Sequence, residues 1–282
     1  MERLSWVPDD VDLNRPSAAR VYDFYLGGSH NFAVDRAMGR QVIQFMPEVP
    51  RIARANRAFL RRAVEYLVAA GVRQFLDIGS GIPTAGNVHE IAQHADPAVR
   101  VAYVDIDPVA VAHSRTILRA NDRTAVVQAD LRQPDQVLAG LDKTALFDLD
   151  QPVAILVISM LHFVPDSDDP TGVVAEYRDA VAPGSYLALS HIHKLAEPVP
   201  HGDDILDVYA RVGTPLTPRT EAELMAFFDG FELVEPGLVG LPSWHPDSPE
   251  DVERAGEMLR RGFRVGIGRK PGPGEQSERP RA

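Results

Sequence analysis

The chain has 282 residues, 45% of them hydrophobic and 24% charged, which is enough to bury the core of one large domain or of a domain with an added subdomain. Its formal net charge of -11 disfavours binding to the phosphate backbone of nucleic acids. The absence of cysteine excludes disulfides, thiolate zinc sites and cysteine nucleophiles.

The sequence also lacks the marks of a secreted or membrane protein. The first residues contain no apolar segment of the kind found in signal peptides. No apolar run approaches the roughly 18 residues that a membrane-spanning helix needs. We therefore expect a cytoplasmic protein with no membrane partner.

Three helices are predicted ahead of any strand. Residues 1–16 are rich in charge and proline and predict a polar arm. The next apolar and aromatic residues recur at helical spacing, and Gly27 and Gly28 would end that helix. These residues are Ala18, Val21, Tyr22 and Tyr25. Two further helices are predicted over residues 34–45 and 52–70, so residues 1–70 are interpreted as an arm and a helical lid.

The middle of the chain alternates between strand-like and helical segments. Such alternation predicts a parallel sheet with right-handed crossovers and helices on both faces. The continuous β-branched run near residue 155 is typical of a central strand covered on both sides. The predicted strands cover residues 74–78, 101–106, 125–129, 153–158 and 186–190.

The end of the chain follows a different pattern. Two late strands are predicted over residues 231–234 and 263–268, with no obvious long crossover helix between them, so we expect an antiparallel partner at the sheet edge. Residues 71–269 would form the sheet domain. The tail, residues 270–282, is rich in proline, glycine and charge and is predicted to be disordered.

A glycine loop directly follows the first predicted strand. Glycine permits a tight turn and lets a ligand approach the backbone closely. In open α/β sheets, ligands bind outside the carboxyl ends of the strands, where the strand order reverses. A lone Gly-x-Gly is weak evidence, since many turns between a strand and a helix contain it. The loop supplies Asp77, Gly79, Ser80, Gly81 and Thr84 as candidate ligand contacts.

Acidic residues at the ends of the next two strands strengthen a nucleoside interpretation. Asp105 ends the second strand, where a carboxylate can accept hydrogen bonds from ribose hydroxyls. Asp107 precedes Pro108 and is interpreted as a helix N-cap. Asp130 ends the third strand, where it would accept a hydrogen bond from the amine of an adenine. Together with the glycine loop, these acids predict a nucleoside cofactor.

The loop chemistry separates two kinds of cofactor. A dinucleotide site has the pattern Gly-x-Gly-x-x-Gly, with free N–H groups directed at a pyrophosphate. Here Thr84 occupies the third glycine position and Pro83 lacks an N–H. The carboxylate of Asp77 would repel a pyrophosphate but suits an ammonium and a sulfonium. The sequence therefore favours S-adenosyl-L-methionine (SAM) over NAD.

These motifs resemble those of class I SAM-dependent methyltransferases, in segments 75–81, 104–108 and 128–130. Segments 17–28 and 81–89 are similar to a bacterial family of predicted SAM methyltransferases with unassigned substrates. The resemblance implies an α/β, Rossmann-like, seven-stranded sheet whose last-threaded strand is antiparallel. The expected cofactor contacts then also include Ile106, Leu131 and Ser159.

The N-terminal aromatics receive a function in this interpretation. A cofactor held in line with its acceptor must be shielded from water, and aromatic faces suit a sulfonium. We expect residues 15–70 to close over the cofactor. The alternative is that these rings only dock the helices onto the core. The predicted contacts are Tyr22, Tyr25, Gly28 and Asn31, with Asn56 and Arg57 as further candidates.

His162 is the predicted catalytic residue, because it follows the central strand and can remove a proton from an acceptor. A packing or cofactor-orienting role is the alternative. His191 and His193 would need a third ligand to hold a metal, so none is expected. Trp244 would either line the acceptor pocket or anchor its loop.

The sequence carries no basic stripe interleaved with aromatic residues, so RNA is disfavoured and a small-molecule acceptor is expected. Two alternatives to the enzyme stay open at this point. One is a SAM-binding protein without turnover, and the other is an NAD(P)-dependent oxidoreductase. The sequence makes no prediction of the oligomeric state.

Overall fold

A computed structural model describes residues 12–82 and 86–274 of the protein. Within them, seven strands alternate with helices. The strands are β1 (Gln74–Ile78), β2 (Arg100–Asp105), β3 (Thr124–Gln128), β4 (Ala154–Ile158), β5 (Tyr186–Ile192), β6 (Glu232–Leu233) and β7 (Phe263–Arg269). The α-helices are α1 (Ala18–Tyr25), α2 (Ala33–Phe45), α3 (Val49–Ala69), α4 (Val88–Ala95), α5 (Pro108–Ile117), α6 (Pro134–Asp142), α7 (Pro170–Ala180), α8 (Gly202–Arg211), α9 (Glu221–Ala226), α10 (Pro249–Glu253) and α11 (Glu257–Arg261).

The strands form one mixed sheet in the order β3-β2-β1-β4-β5-β7-β6. β1 to β5 are parallel to one another, and β7 runs antiparallel to both β5 and β6. The predicted fold is therefore confirmed, including the antiparallel strand that is threaded last. The strand order reverses between β1 and β4, so the carboxyl end of β1 is the natural ligand-binding crevice.

Two hydrophobic cores cover the faces of the sheet, as alternating strand side chains require. Phe75 of β1 belongs to the core that contains Leu67 of α3. The neighbouring Leu76 belongs to the opposite core, with Val137 of α6 and Tyr177 of α7. Helices thus pack on both faces.

A third cluster joins α1, α2 and α8, and we call these three helices the cap. Val21, Tyr25, Val42, Ile205 and Tyr209 form its buried centre. By contrast, α3 shares the core of the sheet. The predicted boundary between a lid and a sheet domain at residue 70 stays a prediction. Most buried apolar residues of α3 belong to the core of the sheet, whereas its Ala53 belongs to the cap cluster.

The structure differs from the predicted elements mainly outside the sheet. α3 begins at Val49 rather than residue 52, because Pro50 is accommodated in its first turn. Helix α8 was not predicted, although its residues Ile205, Val208 and Tyr209 have helical spacing and are buried. Within the described residues, no helix combines the length and apolar character needed to cross a membrane. Most of the arm and tail, residues 1–11 and 275–282, lies outside the described residues.

Candidate active site

The glycine loop folds tightly over the end of β2. The N–H groups of Gly79 and Ser80 both donate to the carbonyl oxygen of Val104, at 2.7 and 3.1 Å. Gly79 has a φ of +73°, and a Cβ atom there would lie 2.1 Å from the side chain of Met160. Both the backbone conformation and the space therefore require glycine at this position.

Asp77 is the last residue but one of β1, lies directly before this loop and is only 6% exposed. Within the described part of the chain, its carboxylate accepts no hydrogen bond, although such groups are nearly always paired when buried. Burial raises the pKa of Asp77 to about 7; Arg57 acts to lower it and Asp105 to raise it further. A cationic ligand would stabilise the ionised carboxylate.

Asp105, at the end of β2, is held in a fixed orientation by the backbone. Its Oδ2 accepts from the N–H of Gly81 at 2.7 Å, and its Oδ1 accepts from the N–H of Asp107 at 2.8 Å. Burial raises the pKa of Asp105 to about 6, and these N–H donors oppose that rise. Because each carboxylate oxygen has two lone pairs, both remain able to accept further hydrogen bonds from a ligand.

Asp107 has the structural role predicted for it. Its Oδ1 accepts from the N–H of Val109 at 2.7 Å, and Pro108 occupies the first turn of α5. The two neighbouring acids therefore divide between a helix cap and the crevice.

A buried hydrogen-bond network ties the cap to the sheet. The Tyr22 hydroxyl donates to the carbonyl of Ala53 and accepts from Asn56 Nδ2. The Ser190 hydroxyl donates to Asn56 Oδ1 at 2.7 Å, and the N–H of Ser159 donates to Ser190 Oγ at 2.9 Å. The network runs from α1 through α3 and β5 to the end of β4. It fixes the cap above the carboxyl edge of the sheet.

His162 lies in a single 3₁₀ turn, Leu161–Phe163, just beyond β4. It is 4% exposed, and its Nδ1 is buried without a hydrogen-bond partner among the described residues. Burial lowers the pKa of His162 well below its usual value, and His191 and Arg219 lower it further. The imidazole is therefore neutral at physiological pH.

Arg219, which the sequence did not single out, holds the turn that carries His162. Its guanidinium donates to the carbonyls of Leu161 and Val164 at 2.8 and 2.7 Å. It also bonds to His191 Nε2 at 2.9 Å, and burial lowers the pKa of His191 to about 4. The arginine thus fixes both the backbone and the histidine that pack beneath His162.

A cavity of about 1110 Å³ separates the cap from the carboxyl ends of the strands. Pockets for one small molecule usually measure roughly 300–1,000 Å³, so this cavity has room for a cofactor and a second molecule. It brings together most of the predicted site residues. Those on its lining are Tyr22, Tyr25, Asp77, Gly79, Ser80, Gly81, Asp105, Ile106, Ser159 and His162.

A sequence model described as S-adenosyl methyltransferase matches residues 4–271 of the chain. The chain belongs to this family. The resemblance found in the sequence is thereby confirmed, as are SAM as the cofactor and methyl transfer as the activity.

Two crystal structures share the fold of this methyltransferase. A predicted methyltransferase from Thermobifida fusca is 38% identical to this chain and has a TM-score of 0.88. Its match covers 95% of this chain and 100% of the Thermobifida protein. A DUF574 family protein from Streptomyces avermitilis is 39% identical to this chain and has a TM-score of 0.87. Its match covers 92% of this chain and 99% of the Streptomyces protein. No curated protein matches the chain.

Some predicted cofactor contacts of the methyltransferase do not reach the cavity. Asp130 pairs with Arg132 at 2.6 Å, and Arg132 also contacts Asp168. Leu131 is buried and its carbonyl accepts from the Tyr177 hydroxyl. Neither Asp130 nor Leu131 lies on the cavity lining, so their contact with the cofactor stays a prediction.

Gly28 and Asn31 belong to a loop that closes on Asp23 instead. The Asn31 amide donates to Asp23 Oδ2 at 2.8 Å and to the carbonyl of Gly28 at 2.9 Å. A Cβ at Gly28 would lie 2.0 Å from Asp23 Oδ1, so glycine is needed for packing there. Both residues lie off the cavity lining, and Thr84 lies outside the described residues.

Trp244 is a hydrophobic anchor and does not line the cavity. It is fully buried, packs edge-on against Phe59 and Tyr66, and stacks on His245. Arg62 donates to its carbonyl oxygen at 2.9 Å. Of the two alternatives from the sequence, the structure supports the anchor.

Proposed function

We propose that the enzyme methylates a small molecule bound beside SAM in the cavity, with His162 accepting the proton that the acceptor loses. The observation that carries the proposal is Asp77. A buried carboxylate with no hydrogen-bond partner in the described chain faces a cavity large enough for two molecules. We also place the enzyme in the bacterial cytoplasm, as the sequence analysis expected.

The sheet edge fits the cofactor group by group. Asp77 would hold the ammonium, because an ion pair stabilises its charged form. Asp105, already oriented by two N–H groups, would accept the ribose hydroxyls. Ile106 is 57% exposed and would cover the adenine ring. When bound, SAM supplies a methyl group on a positively charged sulfur.

His162 is placed to act on the acceptor rather than on the cofactor. Its lowered pKa keeps a lone pair available at neutral pH, which a proton acceptor requires. Arg219 fixes the carbonyls on either side of it, so the ring has a defined position. A neutral histidine at the cavity wall supports transfer to an oxygen or nitrogen that loses a proton.

The test is turnover with unidentified acceptors. SAM would be incubated with the enzyme and a small-molecule extract from a related bacterium, and release of S-adenosylhomocysteine (SAH) would be measured against a blank without extract. We expect extract-dependent SAH release that falls by roughly 10²–10⁴-fold in His162→Gln.

The alternatives give different results. Tight SAH binding without release in any extract would indicate a SAM-binding protein that does not turn over. Tight binding of NADH with no binding of SAH would indicate an oxidoreductase. Either result would overturn the proposal.

A further inference from the structure

We propose that the methyl acceptor is a flat, uncharged, largely apolar ring compound whose oxygen accepts a hydrogen bond from the Tyr25–Tyr209 pair. The inference rests on the proposed function and names the substrate class of the same site. It assigns the cap side of the cavity, which we call the acceptor chamber, to this molecule. The chamber is lined by Tyr25, Val42, Phe163, Ile205 and Tyr209.

The chamber wall is continuous with His162. The rings of His162 and Phe163 have centroids 4.6 Å apart, and those of Phe163 and Tyr209 are 6.0 Å apart. Tyr209 in turn contacts Tyr25 through its hydroxyl. A molecule lying along this wall would touch aromatic rings at one end and the neutral imidazole at the other. Such walls favour flat rings, which pack on aromatic side chains in offset or edge-on geometry.

The two tyrosine hydroxyls have one hydrogen-bond donor that the described protein does not use. Tyr25 Oη and Tyr209 Oη lie 3.3 Å apart, and one must donate to the other. Burial raises the pKa of both, so both remain protonated at neutral pH. The second proton has no acceptor among residues 12–82 and 86–274.

Tyr22, on the same helix, shows the contrast. Its hydroxyl donates to the carbonyl of Ala53 and accepts from Asn56, so its hydrogen-bonding capacity is used within the protein. The Tyr25–Tyr209 pair is therefore the group in the chamber that offers a donor to a ligand. A buried donor left unpaired costs free energy, which an oxygen of the bound molecule would recover.

The distribution of charged side chains around the acceptor chamber disfavours an ionic acceptor. The charged side chains that α8 and the loop before it bring to the lining are exposed, at the rim of the cavity. They are Lys194, Glu197, Asp203 and Asp204. The buried lining of the cap around Val42, Ile205 and Tyr209 is apolar or aromatic. A charged acceptor would lose its hydration there without gaining an ion pair.

A matched set of probes tests this chemistry. The full-length enzyme, saturated with SAH, would be titrated with 2-acetylnaphthalene, 2-ethylnaphthalene and 2-naphthoate, which share one ring system and differ in polarity. Because a neutral hydrogen bond contributes modestly, we expect the ketone to bind about fivefold to tenfold more tightly than the hydrocarbon. The carboxylate should bind at least about tenfold more weakly than the ketone. Equal or tighter binding of the carboxylate would overturn the proposal.

Tyrosine variants test the donor. Tyr25→Phe and Tyr209→Phe each leave one hydroxyl with its proton, so each should keep the preference for the ketone. The double variant has no donor and should lose it, whereas Tyr66→Phe, outside the cavity, should behave as wild type. A preference that survives in the double variant would contradict the assignment.

A filling variant tests the location. Ile205→Trp fills part of the apolar chamber, so it should weaken binding of the ketone by at least about tenfold. The affinity for SAH should stay within about twofold of wild type. Unchanged binding of the ketone would show that the acceptor does not bind in this chamber. SAH binding with no binding of any probe would defeat this inference alone, whereas failure to bind SAH would defeat the proposed function.

Discussion

The two ends of the cavity differ in the chemistry of their side chains. The sheet edge presents two buried carboxylates, Asp77 at the end of β1 and Asp105, which backbone N–H groups hold at the end of β2. The cap presents apolar side chains and one tyrosine pair, its buried Arg20 is paired with Asp35, and the charged side chains of α8 and of the loop before it are exposed. One end thus suits a cation and the other suits a neutral molecule. The difference explains how one cavity would hold a charged cofactor at the sheet edge and the proposed uncharged acceptor beside the cap.

His162 stands where the two ends meet, and its replacement should have the largest effect. His162→Gln removes the proton acceptor, so turnover should fall by roughly 10²–10⁴-fold. SAH affinity should stay within about twofold, because Asp77 and Asp105 are untouched. His94→Gln, on the exposed end of α4, is the matched control. Full turnover in His162→Gln would show that the acceptor loses its proton elsewhere.

The ribose site is the next most sensitive point of the sheet edge. Asp105→Asn replaces one hydrogen-bond acceptor with a donor that faces an N–H of Gly81 or Asp107. Since hydrogen bonds to charged groups contribute about 1.5–3 kcal/mol, SAH affinity should fall by roughly 10–100-fold in calorimetry. The exposed Asp122→Asn should bind as wild type. An unchanged affinity in Asp105→Asn would remove this carboxylate from the site.

Acidification should affect the sheet edge and spare the acceptor chamber. The free protein has a pKa of about 7 at Asp77 and about 6 at Asp105. Binding the ammonium needs the ionised Asp77, so SAH affinity should be constant above that pKa. It should then fall by about tenfold per pH unit below it, and more steeply once Asp105 also takes a proton.

The contribution of Asp77 to the stability of the ligand-free protein should change in the opposite direction. A carboxyl whose pKa is raised by folding favours the folded state most when protonated. The difference in free energy of unfolding between wild type and Asp77→Asn isolates this contribution from that of the buried histidines, such as His162 and His191, whose lowered pKa values act in the opposite direction. Relative to Asp77→Asn, the wild type should therefore lose stability as the pH rises from about 4 to about 7. Calorimetry and urea unfolding across this range measure both trends, and SAH affinity that does not depend on pH would contradict the assignment of Asp77.

A change in the hydrogen-bond network that joins the cap to the sheet should have the smallest effect. Tyr22→Phe removes the hydrogen bonds to Ala53 and Asn56, so the free energy of unfolding should decrease by about 0.5–1.5 kcal/mol. SAH affinity should change little if Tyr22 only fixes the cap. Urea unfolding with Tyr66→Phe as control measures the first effect. A large loss of SAH affinity would instead make Tyr22 a direct cofactor contact.

The two ends also differ in how far the sequence predicts them. The glycine loop, Asp105 and the Asp107 cap were predicted because each follows directly from a strand and depends on neighbours a few residues away. The chamber depends on Tyr25 and Tyr209, which are 184 residues apart. Their meeting is decided by the packing of α1 against α8, which leaves no local pattern. Arg219 was missed for the same reason, since its partners lie in other segments.

Gly28 and Asn31 show what a local pattern leaves open, and their contact with the cofactor stays a prediction. The Gly-Gly pair and the polar residues after it suggested contact with the cofactor, but their polar atoms are occupied within the loop around Asp23. A sequence shows which groups are polar and cannot show which of them the fold has already paired.

The most direct test of the account is calorimetric titration of SAH into wild type and Asp77→Asn at a pH above about 8, where Asp77 is ionised. Asparagine keeps the shape and removes the charge. Because the charge should pair with the ammonium of the ligand, we predict affinity weakened by at least about tenfold, with thermal stability equal or higher. Equal affinity in the two proteins would contradict the central claim that this buried carboxylate binds the cofactor.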